Sequence, residues 1–348
     1  MSTCGSYTTA LAFWATRCED TTNLPRCGAS VVQDFTASIK DSVKMRRMLV
    51  DLGALPEESA EPPRPKDGEA RNRLHLSVPD RAQRRHPRGT VAHAITGQVD
   101  SKRTFILPSN SFCRIGEDAF VASPELTYYQ MASRARYPYQ AIEAGYVLCS
   151  AFAFAPVGHD RVARRVPPTS VVRIATFLEK LPGVWGVEKA REYLRFVHDG
   201  CDSPPEIQLS MELAMPRSLG GRQWPRHECA REFPLLEERY QRMLGSQSVR
   251  ADIYLPDYDA ILEYDSYENH MGKWDFDHTN KRAEILRADL HKVIPVTHGM
   301  VMNSGEFDDA IWVWEEEIGI PHAARNRHTA MLQRDLHETL VAKNRRWF

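Results

Sequence analysis

The stretch Val249–Asp265, VRADIYLPDYDAILEYD, decides how the last third of the chain folds. Two short apolar segments, Val249–Leu255 and Ala260–Tyr264, flank Pro256-Asp257-Tyr258-Asp259. The pattern predicts antiparallel strands joined by a four-residue loop. If Leu255 opposes Ala260, then Ile253 opposes Leu262, Asp252 opposes Glu263 and Arg250 opposes Asp265. Side chains alternate between the faces of a strand. One face is then Ala251, Ile253, Leu255, Ala260, Leu262 and Tyr264, which suits a core. The other carries Arg250, Asp252, Tyr254, Ile261, Glu263 and Asp265. Directly opposed carboxylates have Cβ atoms about 5 Å apart and repel. Such a pair is easier to keep with a cation between its members.

Upstream of the hairpin, a helix is expected from about Pro204 to Arg217, then a loop holding Gly220-Gly221 and Trp224-Pro225. Downstream, the pattern gives a helix around Asn280–Leu290, a strand Lys292–Thr297, a helix Asp308–Ile318 and a terminal helix from about Ala323. The order implies an α/β or α+β domain with a central mixed sheet flanked by helices. Nearer the N-terminus, helices are expected at Thr8–Thr16 and Ile39–Leu52, followed by a Pro-rich linker over residues 56–71. Strands follow at Leu74–Val78, Thr104–Leu107 and Ala119–Ala122. Ser123-Pro124-Glu125 reads as an N-cap with proline at the first helical position. Further helices are expected at Tyr139–Phe154, Ser170–Leu181 and Val187–His198.

The chain has 348 residues, room for roughly two domains of about 150 residues. Its net charge of −1 singles out no partner class. Local clusters at Arg81, Arg84, Arg85 and Arg88, at Arg161, Arg164 and Arg165, and at Lys343, Arg345 and Arg346 suit either phosphate contact or plain solvated surface. Seven scattered cysteines form no CxxC pair, which argues against zinc-ribbon and thioredoxin-type chemistry and fits a reducing, cytoplasmic setting. No apolar run approaches the roughly 18 residues of a membrane span, and the N-terminus does not read as a signal peptide. No Walker loop, GxGxxG, HExxH or GxSxG occurs.

Asp252 and Glu263 are the leading chemical candidates. Magnesium takes hard oxygen ligands, commonly one or two carboxylates plus waters and a phosphate. Bound there, it would polarise a scissile phosphate and lower the pKa of an attacking water. The alternative is a surface hairpin with solvated acids and an Arg250–Asp265 ion pair. Glu206 offers a third acid. It also completes a capping box, with Ser203 as cap and Glu206 reaching back to its amide. His270 could position or deprotonate water. Lys273, Trp274, Lys281 and Arg282 suit contact with phosphates and bases, or the start of an amphipathic helix with Ile285 and Leu286 turned to the core.

Taken together, residues 203–221, 249–270 and 276–297 resemble the very-short-patch-repair-like endonucleases. The likeness is to a bacterial domain-of-unknown-function branch of the PD-(D/E)XK nuclease superfamily. Ser203-Pro204-Pro205-Glu206 matches its helical acid, Asp252 its strand acid and Glu263-Tyr264-Asp265 its Glu-x-Asp element. His270 matches the later histidine, Arg282 and Leu286 the following helix, and Val293–Thr297 the final strand. The superfamily's lysine position holds Asp265, as is usual in this branch, and Ser266 stands where glycine is common. The region 74–154 more weakly resembles abortive-infection type IV antitoxin proteins, through Ala122–Ala132.

The nuclease resemblance implies a restriction-endonuclease-like domain over 201–320; the residue pattern adds a basic helix over 321–348 after it and a mixed, largely helical region before it. Within that region would lie an N-terminal helical segment with its linker over 1–71 and an antitoxin-like α/β region over 72–200 that binds DNA or a protein partner such as a cognate toxin. The implied activity is metal-dependent hydrolysis of DNA phosphodiesters, in repair or defence. Mg2+ or Mn2+ would sit on Asp252, Glu263 and Glu206, with Asp265 or His270 at the water. The rival expectation is a non-catalytic DNA-binding or antitoxin-like regulator on the same scaffold. A third is an accessory protein acting through protein contacts.

Overall fold

The computed structural model describes residues 2–342 apart from 20, 22, 62–72, 85, 96–106, 155–161, 266–272 and 289–290, and omits the side chains of 29, 265 and 273–280. Most of the expected linker, the strand at Thr104–Leu107 apart from its last residue, Arg85, Arg161, His270 and the basic C-terminus thus lie outside the described residues. The protein has the mixed α/β character expected. It forms two compact units, Met1–Val197 and His198–Trp347. Among the described residues no helix is long and apolar enough to cross a membrane.

The first unit is built on a six-stranded sheet. Its strands are β1 (Thr3–Gly5), β2 (Arg26–Cys27), β3 (Leu74–Val78), β4 (Thr90–Ala94), β5 (Phe112–Gly116) and β6 (Ala119–Ala122), in spatial order β2-β5-β6-β1-β3-β4. β1 lies between β6 and β3, so the N-terminal segment and the region after the linker share one sheet. Helices α1 (Tyr7–Thr16), α2 (Ile39–Asp51), α3 (Pro124–Arg134) and α4 (Pro138–Cys149) belong to this unit. Ser123 caps α3 as expected, its hydroxyl accepting the Leu126 amide.

The helix expected to reach Phe154 stops at Cys149. Phe152–Phe154 is instead a strand, β7, paired with β8 (Val162–Arg164). Helices α5 (Val171–Glu179) and α6 (Val187–Leu194) complete the unit. Arg165, expected at a phosphate or in solvent, is 8% exposed. Its guanidinium donates to the carbonyls of Trp14, Val147 and Ser150, pinning α1 and the end of α4 together.

In the second unit α7 (Pro204–Ala214) precedes β9 (Glu228–Pro234), α8 (Glu238–Leu244), β10 (Ser248–Leu255), β11 (Ala260–Asp265), α9 (Lys273–Ala288) and β12 (Lys292–Thr297). The sheet order is β12-β11-β10-β9. β9, β10 and β11 are antiparallel, and α9 crosses over to set β12 parallel to β11. Ile253, Leu255, Ala260, Leu262, Ile294 and Val296 bury one apolar cluster against α7, α10 (His298–Met302) and α11 (Ser304–Ile318). A second cluster joins Val249, Ala251, Ile261 and Val293 to Ile285 and Leu286 of α9. Ala251 therefore packs apart from Ile253, contrary to simple alternation. The terminal helix α12 (Arg327–Val341) docks on α7 through the buried Glu212–His337 pair, 3.0 Å apart. After α7 the chain doubles back. Arg222, Gln223 and Trp224 donate their amides to the carbonyls of Glu212, Met215 and Leu213, closing the helix end.

Candidate functional site

The hairpin register is the one expected as far as Ile253↔Leu262. The next pair, Asp252 and Glu263, meets through side chains. The Asp252 amide donates to Glu263 Oε1 at 3.3 Å, and the Tyr264 amide donates to Asp252 Oδ2 at 2.8 Å. On the other side of β10, the ladder pairs Ala251 with Arg231 and Ile253 with Cys229. Ala230, which would face Asp252, has φ +52°, a left-handed conformation that costs a non-glycine residue roughly 1–2 kcal/mol. The sheet thus opens at Asp252 on both sides, and the carboxylates take the freed backbone donors.

A cation does lie between the two acids, and it belongs to the chain. Arg282 of α9 directs Nη2 to Glu263 Oε2 at 2.9 Å, to Asp252 Oδ1 at 3.3 Å and to the Arg250 carbonyl at 2.7 Å. The side chains of Glu263 and Asp252 are 8% and 16% exposed, that of Arg282 26%. Burial, then the Asp252 charge, pushes the Glu263 carboxyl up to about 8. Burial also raises Asp252, with Arg282 and the Tyr264 amide pulling the other way. Burial works against the Arg282 charge, yet the Glu263 and Asp252 carboxylates outweigh it and hold the guanidinium above its usual value.

Glu206 stands beside this group with both oxygens engaged at the start of α7. Oε2 accepts the Asp202 amide at 2.9 Å, and Oε1 accepts the Ser203 hydroxyl at 2.7 Å. Ser203 caps the helix as expected, but the amide Glu206 reaches back to is Asp202's. Burial, then the Asp252 charge, pushes Glu206 well above the ordinary carboxylate range. Arg250, expected opposite Asp265, pairs instead with Asp202 at 2.8 Å and donates to the Gly200 carbonyl at 2.9 Å. The reason is the opening at Asp252, beyond which β10 pairs with β9 and β11 with β12.

Of the remaining candidates, Asp265 ends β11 opposite Thr297 in the backbone ladder. Its side chain and those of Lys273 and Trp274 lie outside the described residues, as does His270 altogether. Lys281 is exposed on α9. Arg282, expected at DNA, is turned onto the acids. The sequence held a signal for this: Arg282 precedes Ile285 by three positions and Leu286 by four, which puts it on the sheet-facing side of a helix. His298, unnoticed in the sequence, meets the Tyr264 hydroxyl through Nδ1 at 2.9 Å. Its signal was its place immediately after β12.

The donor set suits a hard divalent cation in kind. Two carboxylates each turn an oxygen towards one point, marked by the Arg282 nitrogen. Among the described residues no group of three histidine, cysteine, aspartate or glutamate side chains is placed to hold a metal, so the protein would supply two ligands, a number magnesium accepts. The chain matches no family model, no curated protein and no solved structure.

Proposed function

We propose that the protein is a Mg2+- or Mn2+-dependent endodeoxyribonuclease hydrolysing DNA phosphodiester bonds in the cytoplasm, with Asp252 and Glu263 as the metal-holding residues. The carrying observation is that both carboxylates converge on the position of one cationic nitrogen, 3.3 and 2.9 Å away. The elements α7, β10, β11, α9 and β12 follow one another in the order of the segments that carry the nuclease resemblance. A bound divalent ion supplies Lewis-acid polarisation of the phosphate and a more acidic water. The chain's own part is to orient two carboxylates through the Asp252 and Tyr264 amides. Glu206 is held at the helix start by the Asp202 amide and the Ser203 hydroxyl and is not one of the two ligands. Lys281 and Arg287, exposed on α9, supply positive charge for the phosphate backbone.

The test is relaxation of supercoiled plasmid by the full chain with Mg2+ or Mn2+, comparing wild type with Asp252→Asn and Glu263→Gln. Cleavage lost in both variants is expected, and cleavage that survives both removes the assignment. The pairing of Arg282 with the acids also favours a second reading, a DNA-binding or antitoxin-like regulator on a nuclease scaffold. It calls for salt-dependent duplex binding without cleavage, unchanged by Asp252→Asn.

A further inference from the structure

We infer that Arg282 is the resident counter-cation of the acid site and that a divalent metal can load only by displacing it. The inference rests on the metal-site reading above. A single nitrogen, Nη2, occupies the position on which Asp252 Oδ1 and Glu263 Oε2 converge, and it holds the Arg250 carbonyl as well. A magnesium ion needs oxygens at about 2.1 Å. It cannot share that position with a nitrogen already at hydrogen-bond distance from both carboxylates. Arg282 is suited to leave. Its side chain is 26% exposed, the least buried of the three, while Ile285 and Leu286, 1% exposed each, anchor α9 independently of it. Its Nε is buried without an acceptor, so the guanidinium is not fully satisfied where it sits. Once displaced, its fork of donors matches a phosphate group. Metal loading and substrate phosphate binding would then draw on the same movement, and the empty site would stay neutralised until both arrive.

The experiment measures Mn2+ binding to the full chain by electron paramagnetic resonance and calorimetry, for wild type, Arg282→Gln, Arg282→Lys and Asp252→Asn. Circular dichroism checks that each is folded. Arg282→Gln is expected to bind Mn2+ about tenfold or more tighter than wild type, the size of a common coupling between two ligands. Arg282→Lys, which keeps the charge but not the fork, should fall between them, and Asp252→Asn should bind least. Equal or weaker binding by Arg282→Gln overturns the inference, since Arg282 would then be an aid to the metal rather than its rival. If Arg282→Gln does not fold, Arg282→Lys decides, and affinity no higher than wild type overturns it. Absence of Mn2+ binding in every protein overturns the metal-site reading and the inference together. Mn2+ binding that tightens as expected in a protein that never cleaves DNA supports the inference and sinks only the nuclease reading.

Discussion

Replacing Glu263 with glutamine should change how stability depends on pH. In the metal-free protein the Glu263 carboxyl titrates near 8 instead of the ordinary 4.5, first through burial and then through the charge on Asp252. The folded state therefore holds a proton that the unfolded state has already released. Its contribution to stability is complete below pH 4.5 and is lost as pH rises to about 8, beyond which the loss is constant. At about 1.4 kcal/mol per unit, the displacement sets a ceiling of about 5 kcal/mol. Relaxation around the partly exposed Arg282 reduces this, and a loss of about 2–3 kcal/mol is expected. Glutamine keeps the shape and cannot ionise, so Glu263→Gln should lie within about 1 kcal/mol of wild type at pH 5 and exceed it by more at pH 9.

The assay is amide hydrogen exchange of peptides from β10 and β11 in the presence of chelator, comparing the two proteins at each pH. Comparison at one pH cancels the intrinsic exchange rate, and the chosen peptides read opening of the second unit alone. A difference between the proteins that is the same at pH 5 and pH 9 would refute the reasoning, because Glu263 would then be ionised across the whole range.

Two further substitutions probe the frame of the site. A methyl group on Gly221 would lie 1.9 Å from the Met215 carbonyl oxygen, so Gly221→Ala must push the returning loop off the end of α7. It should destabilise the second unit by about 2–4 kcal/mol, read as a lower urea midpoint; an unchanged midpoint would contradict the packing. Ser203→Ala removes the acceptor for the Glu206 amide and a donor to its carboxylate. A loss of about 1 kcal/mol is expected, with faster exchange confined to the first turn of α7, and no change there would deny the cap.

What the sequence discloses and hides follows from how each element is stabilised. β11 and β12 alternate or run apolar because both faces of the sheet are covered, and their bounds are near those the pattern predicts. β9 carries Glu228, Arg231 and Glu232 and was not anticipated. It is an edge strand, so polar side chains can stay in water. β1 is three residues long, too short for any period, yet it sits inside its sheet. In the sequence α4 reads on past Cys149 because Phe152–Phe154 extends an apolar run that periodicity cannot divide into helix and strand. Arg165 reads in the sequence as a phosphate contact or solvated surface because the carbonyls that bury it come from residues up to 151 positions away.

The acid pair is legible from the hairpin alone, and so is the advantage of a cation between its members; the identity of that cation is not. The arrangement is a poor choice for stability. It breaks backbone pairing on both sides of Asp252, holds Ala230 at positive φ and buries two carboxylates with one guanidinium. Well-packed apolar residues in place of a buried ion group are often neutral or stabilising by 1–4 kcal/mol. A hairpin serving only as scaffold would lose nothing by such replacement. A hairpin that must present two oxygens to an exchangeable cation needs these features together: freed amides to aim the carboxylates, burial to strengthen the field between them, and a counter-charge on a long side chain that can withdraw. On the proposed reading Arg282 is that side chain, and its placement on α9, the crossover helix between β11 and β12, would tie its withdrawal to the segment that carries the exposed Lys281 and Arg287.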